Sequence, residues 1–78
     1  MISYELKPVV DGNIADEIEI FVDVDGIDRI IAQLNSLKEG RTDHLHMMSQ
    51  SWGDGELAGQ VVHAGNTSIS HVKIYKVV

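Results

Sequence analysis

EIEIFVDVDGIDRIIAQLNSLKEG, residues 17–40, changes its hydrophobic period halfway along. In residues 17–24, Ile18, Ile20, Val22 and Val24 alternate with Glu17, Glu19, Phe21 and Asp23, the two-residue repeat of a half-buried strand. From Ile27 onward the apolar positions are Ile27, Ile30, Ile31, Leu34 and Leu37, which recur at helical spacing and draw one stripe along a helix. Asp25 is the expected N-cap, and Asp28 places a second carboxylate near the positive end of the helix dipole. Lys38 falls in the last turn and Gly40 is the expected stop. A strand therefore runs almost directly into a helix. If the stripe is buried, replacing Leu34 by alanine costs about 2–5 kcal/mol.

Working outward, residues 2–10 are strand-like, with Pro8 confining them to an edge position or a strand end. Asp11-Gly12 is a turn dipeptide. On the other side, DHLHMMS (residues 43–49) reads as a strand. Residues 50–68 are rich in Gly, Ser, Asn and Gln, and such a length without structure is unusual in a compact domain. A short regular piece is expected near residues 56–62. ISHVKIYKVV, residues 69–78, closes the chain as a strand. The expectation is one α+β domain over residues 1–78: a small four-stranded mixed sheet with one helix packed on one face, in the order β-β-α-β-β. Short connections around the helix predict that the second and third strands lie parallel, joined by a right-handed crossover. The sheet's other face is then open, or closed by a second copy.

At 78 residues the chain has little stability to spare, since a domain of this size buries only about 60% of its unfolded surface. It has no cysteine, so disulfides do not compensate. The first ten residues do not form a signal peptide, and no segment approaches the roughly 20 apolar residues of a membrane span. A cytoplasmic protein is expected. The formal charge of −6, from twelve carboxylates against six basic side chains, argues against free nucleic acid or an anionic membrane as partner. Seven carboxylates lie between Asp11 and Asp28 with no lysine or arginine among them. Such a run either keeps the surface solvated or steers a basic partner into contact.

If Ile18, Ile20, Val22, Leu45, Met47, Val72 and Ile74 face the helix, the outer face displays Glu17, Glu19, Phe21, Asp23, His44, His46, Met48, His71, Lys73 and Tyr75. That mixture of polar groups with apolar and aromatic islands suits a recognition surface. Trp52 is either a plug at the end of the core or a binding anchor. His44, His46 and His71 share the outer face, but a zinc site needs a third or fourth well-placed ligand, and cysteine and HExxH are both lacking. No metal or cofactor is expected. Nucleophile elbows, P-loops and dinucleotide fingerprints are absent, and carboxylates on an open strand face have no environment to shift their pKa values. The chain is not expected to be an enzyme.

DHLHMMSQSWGDGEL (residues 43–57), with HVKIYKV (residues 71–77) and the helix end LKEG, resembles immunity protein family thirty-two of bacterial polymorphic toxin systems. That family carries a His-x-His strand, a Trp-Gly turn leading to Glu-Leu, and a terminal HVKIY-like strand. The likeness spans roughly residues 25–77, and departs at Trp52-Gly53-Asp54-Gly55, where two adjacent glycines are expected. The resemblance implies a protein that binds and neutralises a cognate toxin in the producing cell, and it transfers no defined set of site residues. A toxin acting on nucleic acid, such as a nuclease, has a basic cleft that an acidic partner fits. On this reading the partner-binding residues are Glu17, Glu19, Phe21, Asp23, His44, His46, Trp52 and His71. The alternatives are a self-associating homodimer burying Phe21, Met48 and Tyr75, and a metal- or small-ligand-binding module built on His44, His46 and His71.

Overall fold

The computed structural model describes residues 1–8, 17–51, 53 and 55–77. The Asp11-Gly12 turn, Asp16 and Trp52 lie outside the described residues. The elements run β1 (Ile2–Leu6), β2 (Ile18–Val22), α1 (Val24–Lys38), β3 (His44–Met48), β4 (Thr67–Ser68) and β5 (His71–Tyr75). The fold is α+β. Its strands form two small antiparallel sheets, β2-β1-β4 and β3-β5, in place of the single four-stranded mixed sheet expected from the pattern. The parallel pairing across the helix is replaced by two antiparallel ones. β2 folds back on β1, and β3 takes β5, whose Val72 and Ile74 stand opposite Met47 and Leu45. Antiparallel register lets each strand present its whole apolar set to one side.

In the first sheet Ile2, Tyr4 and Leu6 pair with Val22, Ile20 and Ile18, while Ser3 and Glu5 pair with Phe21 and Glu19. The first set points toward the second sheet and the other set points away, because paired residues share a face. Two joints connect the sheets. The Ile69 N–H donates to Tyr4 O and the Ser49 N–H donates to Ser70 O, so the chain crosses from one sheet to the other within two residues. Leu57 bridges Ile2 in parallel, its N–H donating to Met48 O while the Ala58 N–H donates to Ile2 O. The regular piece expected near residues 56–62 reduces to that bridge.

The core lies between the sheets and the helix: Ile2, Tyr4, Leu37, Leu45, Met47 and Leu57, with Val22, Ile30, Ile69, Val72 and Ile74 packed around it. Met47 is wholly buried and its sulfur accepts a hydrogen bond from Tyr4 Oη at 3.7 Å.

α1 starts earlier than the expected Asp25 cap. Asp23 is the N-cap, its carboxylate accepting the Gly26 N–H at 2.8 Å. Gly26 lies flat against β1, where a Cβ would collide with Met1 O and Ile2 Cγ1. This close approach fixes the helix start. The end matches expectation: Gly40 has φ 79°, and the Gly40 and Arg41 N–H groups donate to Leu37 O and Ser36 O, a Schellman closure.

The helix is rotated relative to the predicted stripe. Gly26, Ile30, Gln33 and Leu37 form the inward or half-buried face, whereas Ile27, Ile31 and Leu34 are 44%, 51% and 42% exposed. The large truncation cost of about 2–5 kcal/mol therefore belongs to Leu37 and not to Leu34. On β2, Ile18 and Ile20 share the face of Ile2 and Tyr4 but extend past whatever covers it, and both are more than half exposed.

Candidate functional site

Residues at alternate positions of β3 and β5 point away from the core: His44, His46 and Met48 on one strand, His71, Lys73 and Tyr75 on the other. The register places Tyr75 opposite His44, Lys73 opposite His46 and His71 opposite Met48. This grouping is the one expected from alternation.

The rings on this face touch in sequence. Tyr75 stacks on His44, with centroids 5.3 Å apart and planes at 24°. His44 meets His46 edge to face at 4.6 Å. His46 stacks on His71 at 5.2 Å, and their Nδ1 and Nε2 atoms are 2.9 Å apart, so one imidazole donates to the other. At the outer end Asp43 Oδ1 lies 2.6 Å from His44 Nδ1. Thr42 Oγ1 donates to His44 O and closes the strand entry. Partial burial, and then the nearby His44, His71 and Lys73 charges, push the His46 pKa below the usual histidine value. Contact with His44 holds the Asp43 carboxyl below its usual range. The result is a continuous aromatic and imidazole ladder with a carboxylate at one end and a lysine beside it. Such a platform can stack on flat groups and exchange hydrogen bonds with a partner.

The acidic residues expected beside this ladder are elsewhere. Glu17, Glu19, Phe21 and Asp23 belong to β2 or its flanks, in the other sheet, so the eight predicted partner-binding residues do not form one surface. Asp23 is committed to the ammonium of Met1 and to the helix cap, which in that order lower its pKa. Glu17 is exposed beside Lys7, 3.5 Å away. Phe21 is half-buried on the Glu19 side of its strand. Trp52 lies outside the described residues.

Glu19 enters a network that alternation along a single strand does not reveal. Its Oε1 accepts from Asn66 Nδ2 at 2.9 Å and lies 2.9 Å from His63 Nδ1. The same Asn66 amide donates to Glu5 Oε1 at 3.0 Å. Glu5 has no exposed surface. It also receives the Ser3 hydroxyl at 2.6 Å and the N–H groups of Val62 and His63 at 2.7 and 3.2 Å. Burial pushes the Glu5 pKa up, but the hydrogen bonds from Ser3, Val62, Asn66 and His63 outweigh it and hold the group at about 2. Asn66 is delivered by a turn in which its N–H donates to His63 O and Gly65 takes φ 93°. A side chain is strained in that conformation. This network seals the outer face of the first sheet with residues 62–66, and its geometry is that of a structural pin.

Among the described residues no three histidine, aspartate or glutamate side chains are grouped to hold a metal. Among the described residues, a cleft of about 340 Å³ beside Ser49, Leu57, Ser68 and Ser70 is lined by no charged side chain. No helix among the described residues is long and apolar enough to cross a membrane. No family model, curated protein or solved structure matches the chain.

Proposed function

We propose that this chain is an immunity protein, a non-catalytic binder that neutralises a cognate bacterial toxin through the outer face of β3 and β5. The observation that carries the reading is the ladder Tyr75–His44–His46–His71, four touching rings held on the side of a sheet that faces away from the core. Aromatic groups fixed in place lose little entropy on binding and are favoured binding hot spots. The family resemblance rests on the same residues, the DHLHM and HVKIY stretches. The net charge of −6 supports a basic partner, such as a nuclease, whose approach is accelerated by long-range attraction.

Within this reading His44, His46, His71 and Tyr75 make the contact, with Met48 as the apolar filler. Asp23 and Glu19 serve the fold, and Glu17 contributes charge at a distance. The test starts from the genomic neighbourhood: a secreted toxin encoded beside the gene is sought, co-expressed with the chain, and the purified complex measured. Wild-type protein should restore growth. The double variant His46→Ala/Tyr75→Ala should stay folded and bind about tenfold to 100-fold more weakly, the effect of losing a hot-spot pair. Unchanged affinity in that variant would remove the ladder from the interface, and failure of the wild type to protect would remove the function.

A further inference from the structure

β2 ends its sheet, with β1 on one side and no strand of the described residues on the other. Lys7 donates to Glu17 O, so Glu17, Glu19 and Phe21 turn their backbone groups toward β1. Antiparallel alternation then turns those of Ile18, Ile20 and Val22 toward the free edge. The edge lacks the proline or lysine by which natural sheets discourage pairing. Its side chains Ile18 and Ile20 are 54% and 55% exposed, and Ile27, Ile31 and Leu34 lie uncovered on the helix that follows at once. Exposed aliphatic side chains on two consecutive elements are the kind of surface that a partner covers.

We propose that this surface is a two-fold interface with a second copy of the chain, formed by antiparallel pairing of β2 with β2 and centred on Ile20. The pattern of the strand is self-complementary in that register. Ile20 meets its own copy, Ile18 meets Val22, and all three outward-facing residues find hydrogen-bonding partners. Glu19 falls opposite Phe21 and not opposite another Glu19, so like charges meet only at the ends, Glu17 against Asp23. A one-step shift to a centre on Glu19 would oppose two carboxylates directly, which is destabilising. The helix obeys the same symmetry. The helix carries Asp25 in its first turn and Lys38 in its last, so an antiparallel approach of the two copies of α1 sets opposite charges against each other. A lasting dimer buries about 800 Å² per partner, more than a five-residue strand edge supplies. The stripe of Ile27, Ile31 and Leu34 therefore belongs to the same interface. The product is a six-stranded sheet, β4-β1-β2-β2-β1-β4, that leaves both imidazole ladders outside the contact.

Sedimentation equilibrium of the full chain at micromolar concentration is the test. The expected mass is twice 8.6 kDa. Ile20→Lys, which sets two ammonium groups against each other, and Ile31→Glu, on the exposed helix stripe, should each weaken the dimer by about 100-fold while keeping the far-ultraviolet dichroism of the wild type. Amide exchange of the unsubstituted protein guards against a variant that fails to fold: the Ile20 N–H should become protected as concentration rises. A wild type that sediments as a monomer, a dimer indifferent to both substitutions, or an Ile20 amide that exchanges as an open edge at every concentration overturns the proposal.

Discussion

The two sheets turn polar faces away from a shared core, and both faces carry histidine beside a carboxylate, yet they are built to opposite ends. On the first sheet Glu5 is covered, receives four hydrogen bonds, and shares Asn66 with Glu19. On the second sheet His44, His46, His71 and Tyr75 stand half-exposed or exposed, their rings in contact with one another. A carboxylate whose partners are backbone N–H groups of a loop shapes that loop. Rings stacked on other rings shape no loop and form a face of the sheet instead. Residue type alone does not separate a pin from a binding face; the identity of the partner groups does.

The largest expected effect is at the pin. Glu5→Ala leaves the Ser3 hydroxyl, two loop N–H groups and the Asn66 amide without their common acceptor, and buried donors left unmade are costly. The cooperative thermal transition should weaken or disappear. Hydrogen exchange should show residues 62–66 released first, while the β3–β5 pairing persists in whatever fraction stays folded. A variant with unchanged melting would show that the network is incidental.

A change of pH tests both faces at once, with a smaller effect. Glu5, Glu19, Asp23 and Asp43 all have pKa values lowered in the folded chain, Glu5 from 4.5 to about 2. A depressed folded pKa stabilises the native state above the unfolded value and loses that contribution as pH falls toward the folded one. Stability measured by urea unfolding should therefore decline below about pH 4.5, and the share from Glu5 should fade gradually toward pH 2. His46 is also depressed, from 6.5, so its contribution is complete above pH 6.5 and starts to decline below it. Substituting His46 should remove only this upper, shallow part of the curve, and Glu5→Gln only the lower part. An acid limb identical in the wild type and Glu5→Gln would place the pH sensitivity elsewhere.

Much of this arrangement was legible in residues 17–40 and 43–49, where a change of period separates strand from helix and alternation assigns His44 and His46 to one face. The pairing of the sheets was not. Period tells which residues of a strand share a side, but it is silent on which strand lies beside it. The expectation that Glu17, Glu19, Asp23 and the histidines share one surface therefore failed at that step. The helix cap moved to Asp23 because Gly26 has to lie against Ile2, a tertiary contact. Glu5 gave no signal: its donors lie up to 61 residues away, and two of them are backbone N–H groups that leave no mark on composition.

The smallest effect separates charge that steers from charge that pins. Glu17 and Glu19 are two residues apart on one strand side, but among the described residues Glu17 makes an exposed contact with Lys7, and Glu19 is held by His63 and Asn66. Exposed ion pairs contribute about 0–1 kcal/mol, so Glu17→Lys should change unfolding free energy by no more than that. It lowers the negative charge by two and should slow association with a basic toxin, most visibly at low salt, while the dissociation rate stays the same. Glu19→Lys makes the same change in charge but also places an ammonium against the Asn66 amide and His63, so it should lower the melting temperature as well as the association rate. Stopped-flow association at two salt concentrations, paired with thermal melts, distinguishes the two. If both variants melt like the wild type, Glu19 belongs with the steering charges and the pin is confined to Glu5.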